Sequence, residues 1–322
     1  MSAMRTGAFL CLRLAAGTSD ATGVRDSPKL VVEEYRLFPC SVDNQVQPVL
    51  PMRLPDSIGR KRALWRFVPP AVADIDSINK TIGPLGYRLR LSETQPWKGP
   101  AYDFLKGDSV VLHWLTGFDG FDYDRRTSRF LFTANVQQTR PPFDLSSVLI
   151  LDGKPQPWEP SEHEYVPPVL AGGHLVTYDP EMAGNGFLKV VIRQDSQVVH
   201  TGLTRWNVCN SSIGGFSSDG QNWVVQYADT VVVNGGNLNR QLQCSAVFGY
   251  NLIHGMPFYL FTRDRKVRMR FGPNVQPCKY DDVQRGSECG ESYFSPMGNR
   301  NMVWFYARRD GWWYYVEAGV YD

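Results

Sequence analysis

The residues best suited to chemistry lie in segments between predicted strands. His163 stands between Glu162 and Glu164 in such a segment. A neighbouring carboxylate orients an imidazole and raises its pKa, so that the ring can take a proton from water. We therefore predict His163 and Glu164 as catalytic residues. The alternative is a surface histidine between two solvated acids.

A second group of candidates carries side-chain oxygen atoms. We predict a metal site formed by Asp119, Asn210, Asp282 and Glu288. Carboxylates from separate loops that meet at one point repel each other unless a cation lies between them, and calcium accepts six to eight oxygen ligands in loose geometry. Calcium is therefore the predicted cofactor. For each carboxylate alone, the alternative is a solvated turn residue.

Other catalytic signatures are missing from the sequence. It contains no G-x-S-x-G elbow, P-loop, G-x-G-x-x-G after a strand, H-E-x-x-H or EF-hand loop. The six cysteines lack the paired C-x-x-C spacing of a structural zinc site. These absences argue against a serine hydrolase, a nucleotide-binding fold and a zinc enzyme.

Composition indicates a folded protein with a sizeable core. Of the 322 residues, 43% are hydrophobic and 13% are aromatic, whereas 20% are charged. The 34 basic and 32 acidic residues give a net charge of +2, which is too balanced for a dedicated nucleic-acid surface. No apolar run reaches the length of a membrane-spanning helix. We expect a soluble protein with a small-molecule substrate, cytoplasmic in preference to secreted. The sequence does not specify its oligomeric state.

The elements that must position these residues are short strands that recur along the chain. Alternation of apolar and polar residues, punctuated by Gly, Asp and Asn, predicts antiparallel strand pairs. Their first strands recur about every 35 to 48 residues, which is the size of a propeller blade. The repeat positions are Tyr87, Phe130, Leu175, Trp223, Phe258 and Val303. We predict an all-β, five-bladed propeller; six blades and a two-sheet sandwich are the alternatives.

The domain boundaries follow from the same pattern. Residues 1–28 are predicted to be a flexible leader, with a signal peptide as the alternative, and residues 29–322 a single propeller domain. The first and last repeats are incomplete, so that the terminal strands can share one blade. One helix is expected over residues 71–82, ended by Gly83 and Pro84.

Two compositional clusters have structural interpretations. The aromatic run from Trp304 to Tyr315 is expected to fill the core between sheets, with a sugar-stacking platform as the alternative. The basic stretch from Arg263 to Arg270 is expected to form a solvated outer edge that resists aggregation.

Three segments resemble a β-rich, propeller-like family found in bacterial and environmental genomes. They are "DIDSINKTIGPLGYRL", "WEPSEHEYVPPV" and "GNRNMVWFYARRDGWWYYVEAGVY", and the resemblance spans residues 74–322. It implies architecture and no particular activity. That architecture is similar to the calcium-dependent propeller lactonases, such as the gluconolactonase and paraoxonase families, whose sequence motifs this chain lacks.

The leading functional prediction is a calcium-dependent hydrolase of a small lactone or ester, such as an acyl-homoserine lactone. Loops of a propeller gather at one mouth of its tunnel, where the ion polarises the carbonyl and His163 or a carboxylate activates water. One alternative is a non-catalytic propeller that binds a glycan or a protein. Another is a glycoside hydrolase, whose acid pair would come from Asp119, Glu164, Asp282 and Glu288.

Overall fold

The computed structural model shows an all-β protein built from several antiparallel sheets. It describes residues 28–42, 45–49, 75–93, 100–137, 145–159, 166–206, 213–285, 296–299 and 301–320. The predicted leader before residue 28 lies outside these ranges. None of the helices in the described part of the chain has the length and apolarity that a membrane crossing requires.

The first strand of the described part of the chain is β1 (Val31–Arg36), followed by a separate hairpin of β2 (Phe38–Val42) and β3 (Gln45–Val49). The described part of the predicted helix at residues 71–82 is α1 (Ile75–Ile82), in which Ile78 and Ile82 are buried. It passes into a 3-10 turn (Gly83–Leu85), and Gly86 then takes the left-handed conformation that ends it.

The first sheet is a six-stranded meander in chain order. Its strands are β4 (Tyr87–Leu91), β5 (Tyr102–Lys106), β6 (Ser109–Asp124), β7 (Arg129–Gln137), β8 (Leu145–Leu151) and β9 (Lys154–Pro157). The early residues of β6 pair with β5 and the late residues pair with β7, with register shifts after Thr116 and Asp119. Gly117 and Gly120 have positive φ within β6, which permits a bend that other residues resist.

The two halves of the first sheet pack on each other across this bend. The ring of Tyr87 in β4 lies edge-on to Phe130 in β7, with centroids 5.3 Å apart, and Phe104 in β5 lies edge-on to Phe132 at 5.6 Å. Helix α1 joins the same buried cluster. The β4–β5 half and the β7–β8 half therefore face each other as two layers.

The second and third sheets follow along the chain. The second contains β10 (Val169–Ala171), β11 (His174–Tyr178), β12 (Glu181–Gly184), β13 (Phe187–Gln194) and β14 (Gln197–Arg205). The third contains β15 (Ile213–Ser218), β16 (Trp223–Tyr227), β17 (Thr230–Val233) and β18 (Gly236–Asn237), and helix α2 (Leu238–Leu242) follows it. The Asn237 side chain accepts a hydrogen bond from the Arg240 backbone and begins α2.

The fourth sheet contains β19 (Ala246–Ile253), β20 (Met256–Arg263), β21 (Lys266–Phe271) and β22 (Asn274–Tyr280), in that order. The basic stretch from Arg263 to Arg270 includes β21, which pairs with β20 on one side and β22 on the other. The prediction that this stretch forms an outer edge is therefore wrong for β21.

A closing sheet joins the two ends of the described chain. It contains β23 (Asp282–Val283), β24 (Met297–Gly298), β25 (Met302–Arg309) and β26 (Trp312–Gly319), with β1 as its outer strand. The pairing of β1 with β26 runs in register from Val31 opposite Gly319 to Arg36 opposite Tyr314.

Consecutive sheets are held together by shared apolar clusters. Leu131 of the first sheet packs with Leu170 of the second, and Ile192 of the second lies in one cluster with Val225 of the third. Two further clusters join the third sheet to the fourth and the fourth to the closing sheet. The core is thus a series of layers between sheets that follow each other along the chain.

Candidate functional site

The structure leaves most of the predicted catalytic and metal residues undescribed. His163, Glu164, Asn210 and Glu288 lie outside the described residues. Asp119 lies in strand β6, opposite Thr133 of β7, and not on a connecting loop. The predicted grouping of these residues therefore stays a prediction.

The Asp282 side chain is the one predicted metal ligand whose contacts are described. Its Oδ1 atom accepts a hydrogen bond from the Val283 backbone at 2.9 Å, and its Oδ2 atom lies 4.0 Å from the Arg308 guanidinium. Within the described ranges, no three His, Cys, Asp or Glu side chains lie close enough to hold a metal ion.

Polar side chains link neighbouring sheets. The Asp122 carboxylate on β6 accepts a hydrogen bond from the Leu170 backbone on β10 at 2.8 Å, and the Ser218 hydroxyl on β15 donates to the Leu170 carbonyl. Burial raises the pKa of Asp122, against the opposing effect of bonds from the backbone of Leu170 and Tyr123. Asp122 therefore joins two sheets in the structure.

Two similar links continue this series. Gln226 of β16 accepts a hydrogen bond from the Tyr250 backbone of β19 at 3.0 Å. The Asn251 amide of β19 donates to the carbonyl of Asn299, beside β24, at 2.6 Å. Hydrogen bonds to or from a side chain therefore join each sheet to the next, from β6 to the segment that follows β24.

In a meander, each strand reverses the direction of the one before it. Every second hairpin turn therefore lies at the same end of the sheet. This places one group of turns at a common end, and we name it the turn surface. It consists of residues 125–128, 152–153, 172–173, 195–196, 219–222 and 234–235. Arg126 donates to the Gly172 carbonyl at 3.2 Å, and the Gly172 backbone donates to the Gly220 carbonyl at 3.0 Å. The turns of three successive sheets are therefore in direct contact.

The turn before β7 is fixed by the buried side chain of Asp124. Its carboxylate accepts hydrogen bonds from the Arg126 backbone at 2.9 Å and from the Thr127 hydroxyl at 2.8 Å. Burial alone raises the Asp124 pKa, but these hydrogen bonds outweigh it, so that the pKa is lowered and the carboxylate is charged at neutral pH. The side chain of Arg125 is left exposed.

A histidine and an aspartate form a dyad on the second sheet. The His174 Nδ1 atom lies 2.5 Å from Asp195 Oδ2. Arg129 of the first sheet donates to the Gly173 carbonyl and to Asp152 Oδ2, the latter at 2.8 Å. Burial acts to raise the Asp195 pKa, but hydrogen bonds from His174 and the Leu175 backbone, with the charge of Arg129, lower it overall.

The turn of the third sheet is fixed by side-chain amides. Asp219 Oδ1 accepts hydrogen bonds from the Gln221 and Asn222 backbones at 2.8 and 2.6 Å. Asn234 donates to Asn222 Oδ1 at 2.6 Å and accepts from the Trp223 backbone at 3.0 Å. Two neighbouring turns of this sheet are thereby locked together, and Gln221 is left exposed.

The turn surface offers polar groups that hydrogen bonds hold in place. The His174 ring is oriented by Asp195, as in a general base. Among the described residues, that carboxylate is its one hydrogen-bond partner, so that no described hydroxyl or thiol is activated by it. The arrangement suits hydrogen bonding and ion pairing with a ligand.

A second histidine–aspartate pair lies away from the turn surface. His113 Nδ1 is 3.0 Å from the buried carboxylate of Asp103, and Arg90 is 3.8 Å from the same group. The buried Ser92 hydroxyl follows β4, two strands from His113 and about 10 Å away by ordinary strand spacing. Ser92 and His113 therefore do not form a nucleophile–base pair.

Sequence reasoning missed the dyad and its neighbour Arg129. His174 and Asp195 are 21 residues apart, and they meet because β11 and β13 pair with Val176 opposite Gln194. The available signal was the Asp195-Ser196 pair after an apolar strand, which is typical of a hairpin turn.

Comparisons with known proteins supply no family for this chain. No family model matches it, and no curated protein sequence matches it. Among solved structures it is similar to one described as the AfRom2 CNH domain, with 11% sequence identity, coverage of 72% of this chain and 70% of that chain, and a TM-score of 0.23. A likeness at this level carries no argument about fold or activity.

Proposed function

We propose that the sheets form a six-bladed β-propeller whose turn surface binds a partner protein without catalysis. The support for six blades is the bend of β6. Its early residues complete one layer with β4 and β5, and its late residues lead a second layer with β7, β8 and β9. The first sheet then supplies two blades, and each remaining sheet supplies one.

Strand β1 gives the sixth blade its outer strand. The closing sheet runs from β23 and β24 through β25 and β26 to β1, so that strands from both ends of the chain form one blade. Such pairing closes a ring by bringing distant parts of the chain together. The hydrogen bonds that link consecutive sheets, from Asp122 to Asn299, support an arrangement of the sheets around one axis.

A crystal structure tests this architecture, because its electron density shows how many sheets surround the axis. Six sheets around the axis, with β6 passing from one to the next, are expected. Five sheets around the axis would contradict the division of the first sheet, and two stacked sheets would contradict the propeller.

The proposed binding role rests on one observation: hydrogen bonds hold polar turns of three successive sheets in a continuous surface. Sheets pack about 10 Å apart, so these turns span about 20 Å, a width of the order that a protein interface requires. The turn residues are Arg, Thr, Ser, Gly, Asp, Gln and Asn, without an aromatic side chain. Glycan sites commonly rely on aromatic faces, and this composition favours a protein partner.

Charge substitutions at exposed turn positions test this role. We select Arg125→Glu with Gln221→Lys, because both side chains are exposed. The control is Asn185→Asp, which makes the same net change of charge as the turn-surface variant, at the exposed turn that links β12 to β13 at the other end of the second sheet. Proteins retained by the immobilised wild type from extracts of the source cells are identified by mass spectrometry.

The expected result is a protein that the wild type and the control retain and the turn-surface variant loses. Retention of the same proteins by all three forms would contradict the assignment of the turn surface. Turnover of lactones or esters that stops on chelation of calcium would instead support the hydrolase predicted from the sequence.

A further inference from the structure

A second surface, on the fourth sheet, carries a concentration of cations. Strand β21 buries Val267 and Met269 on one face and projects Lys266, Arg268 and Arg270 from the other, because alternate residues of a strand share a face. β21 is an interior strand, so that these cations do not protect a sheet edge.

Cations also lie opposite each other across neighbouring strands. Arg263 faces Lys266, and Arg268 faces Lys279. Like charges directly opposite on paired strands destabilise a sheet, so that the stability of the fourth sheet does not account for these two pairs. We name Arg263, Lys266, Arg268, Arg270 and Lys279 the basic face.

Two aspartates neutralise part of this charge. Asp281 pairs with Lys266, and Asp264 Oδ2 lies 3.0 Å from Arg268 Nη2. Arg263, Arg270 and Lys279 form no ion pair with a carboxylate of the described residues. The basic face therefore keeps a surplus of positive charge at Arg263, Arg270 and Lys279.

The position of the basic face leaves it open to a ligand. Tyr259 and Phe261, opposite Arg270 and Arg268, are buried against Val224 and Val231 of the third sheet. The cations of β21 lie on the same face of the fourth sheet as Tyr259 and Phe261, beside their contact with the third sheet. The side chains of Lys266 and Arg268 are 44% and 23% exposed, and Lys279 is exposed.

We propose that the basic face binds an extended acidic segment of a partner protein. Lys266, Arg268 and Arg270 recur at every second residue of β21, a spacing of about 7 Å. Carboxylates at every second residue of an extended peptide have the same spacing, so that they can replace Asp281 at Lys266 and Asp264 at Arg268 and also pair with Arg270. The balanced net charge of +2 argues against general attraction of nucleic acids or other polyelectrolytes.

Direct titration with a synthetic peptide of alternating glutamate and serine tests the proposal. A peptide of the same composition with contiguous glutamates is the spacing control. The variant Arg268→Gln, Arg270→Gln, Lys279→Gln is compared with Arg88→Gln, Lys154→Gln, Arg205→Gln, which removes three exposed cations elsewhere. The alternating peptide is expected to bind the wild type and the control alike, and the basic-face variant about tenfold more weakly.

Several outcomes would overturn the proposal. The first is that the alternating peptide does not bind. The second is that binding is weakened equally in the basic-face variant and in the control variant. The third is that the wild type prefers heparin or an oligonucleotide to the peptide. If the triple variant does not unfold cooperatively, Lys279→Gln alone is used, because this side chain is exposed on an outer strand. The turn-surface variant is expected to bind the peptide like the wild type, which separates this site from the proposed protein interface.

Discussion

Glu34 and Arg309 form a two-point ion pair between the first and the third strand of the closing sheet. The Arg309 guanidinium donates to the two Glu34 carboxylate oxygens at 2.9 and 2.7 Å. The Tyr280 hydroxyl donates to the same carboxylate at 2.6 Å, and its pKa is raised by burial and by this bond. Residues 275 positions apart in the chain are thereby joined on a half-buried face.

The first prediction is that this ion pair stabilises the closure of the sheet by β1. Glu34→Gln leaves the Arg309 guanidinium without its carboxylate, and the side chains are 21% and 31% exposed. We expect a loss of about 2 kcal/mol in the free energy of unfolding, between the values for exposed and buried pairs. Chemical denaturation measures it.

The matched control is Asp108→Asn, which breaks the ion pair with Arg88 on the exposed surface. No measurable change is expected there, because solvent screens the pair. Equal stability of the two variants would show that the Glu34 pair contributes nothing to closure.

The second prediction concerns pH. His200 on β14 lies 3.0 Å from the Tyr227 hydroxyl on β16, and burial lowers the pKa of His200. The unfolded chain therefore binds this proton first as the pH falls. The contribution of neutral His200 to the free energy of unfolding is complete above the ordinary histidine pKa of about 6.5, and it declines as the pH falls below that value.

His200→Asn is expected to flatten the decline in the free energy of unfolding between about pH 7 and pH 5. Tyr227→Phe removes the hydrogen bond and keeps the histidine, so that its pH dependence should remain. Parallel curves for the wild type and His200→Asn would remove His200 as the source of the pH dependence.

The repeat was visible in the sequence because it depends on local alternation. The six repeat positions, from Tyr87 to Val303, lie in β4, β7, β11, β16, β20 and β25. Each of these strands is the earlier member of an antiparallel pair, such as β16 with β17 and β25 with β26. Alternating burial in β21 shows the same periodicity, with Val267 and Met269 inward.

Long-range pairing could not be inferred in the same way. Glu34 meets Arg309 because β1 pairs with β26, and no local property of "VVEEYR" specifies that partner. The bend in β6 depends on register shifts around Thr116 and Asp119, which depend on both neighbouring strands. The interior position of β21 likewise depends on the pairing of β22.

The third prediction concerns the contact between the second and third sheets. A Cβ atom at Gly202 would overlap the ring and hydroxyl of Tyr227. Gly202→Ala is therefore expected to lower the free energy of unfolding by about 1 to 3 kcal/mol through overpacking. Gly83→Ala is the control, since no neighbouring atom lies within 4 Å of the position that its methyl group would take, and its effect should stay within about 0.5 kcal/mol. Similar values for the two variants would mean that the Tyr227 ring moves aside without cost and would contradict the predicted overpacking.

The fourth prediction is the calcium site expected from Asp119, Asn210, Asp282 and Glu288. Calcium that binds the folded state alone raises the melting temperature by an amount that grows with the logarithm of the ratio of free calcium to its Kd, and the gain should disappear on chelation. Glu288→Gln should weaken binding measured by calorimetry, because it removes a charged oxygen ligand. Asp264→Asn is the control, since this exposed carboxylate pairs with Arg268.

The role of Asp282 as a calcium ligand can be tested through its neighbour Arg308. Its carboxylate is directed toward Arg308 in the structure, at 4.0 Å, so that calcium coordination requires the carboxylate to exchange this contact for the ion. Arg308→Gln should then strengthen calcium binding, because it removes a competing positive charge. Weaker binding in Arg308→Gln, or no calcium-dependent rise in melting temperature for the wild type, would remove Asp282 from the metal site. Loss of calcium binding in Glu288→Gln with unchanged binding in Asp282→Asn would place the ion on the other ligands alone.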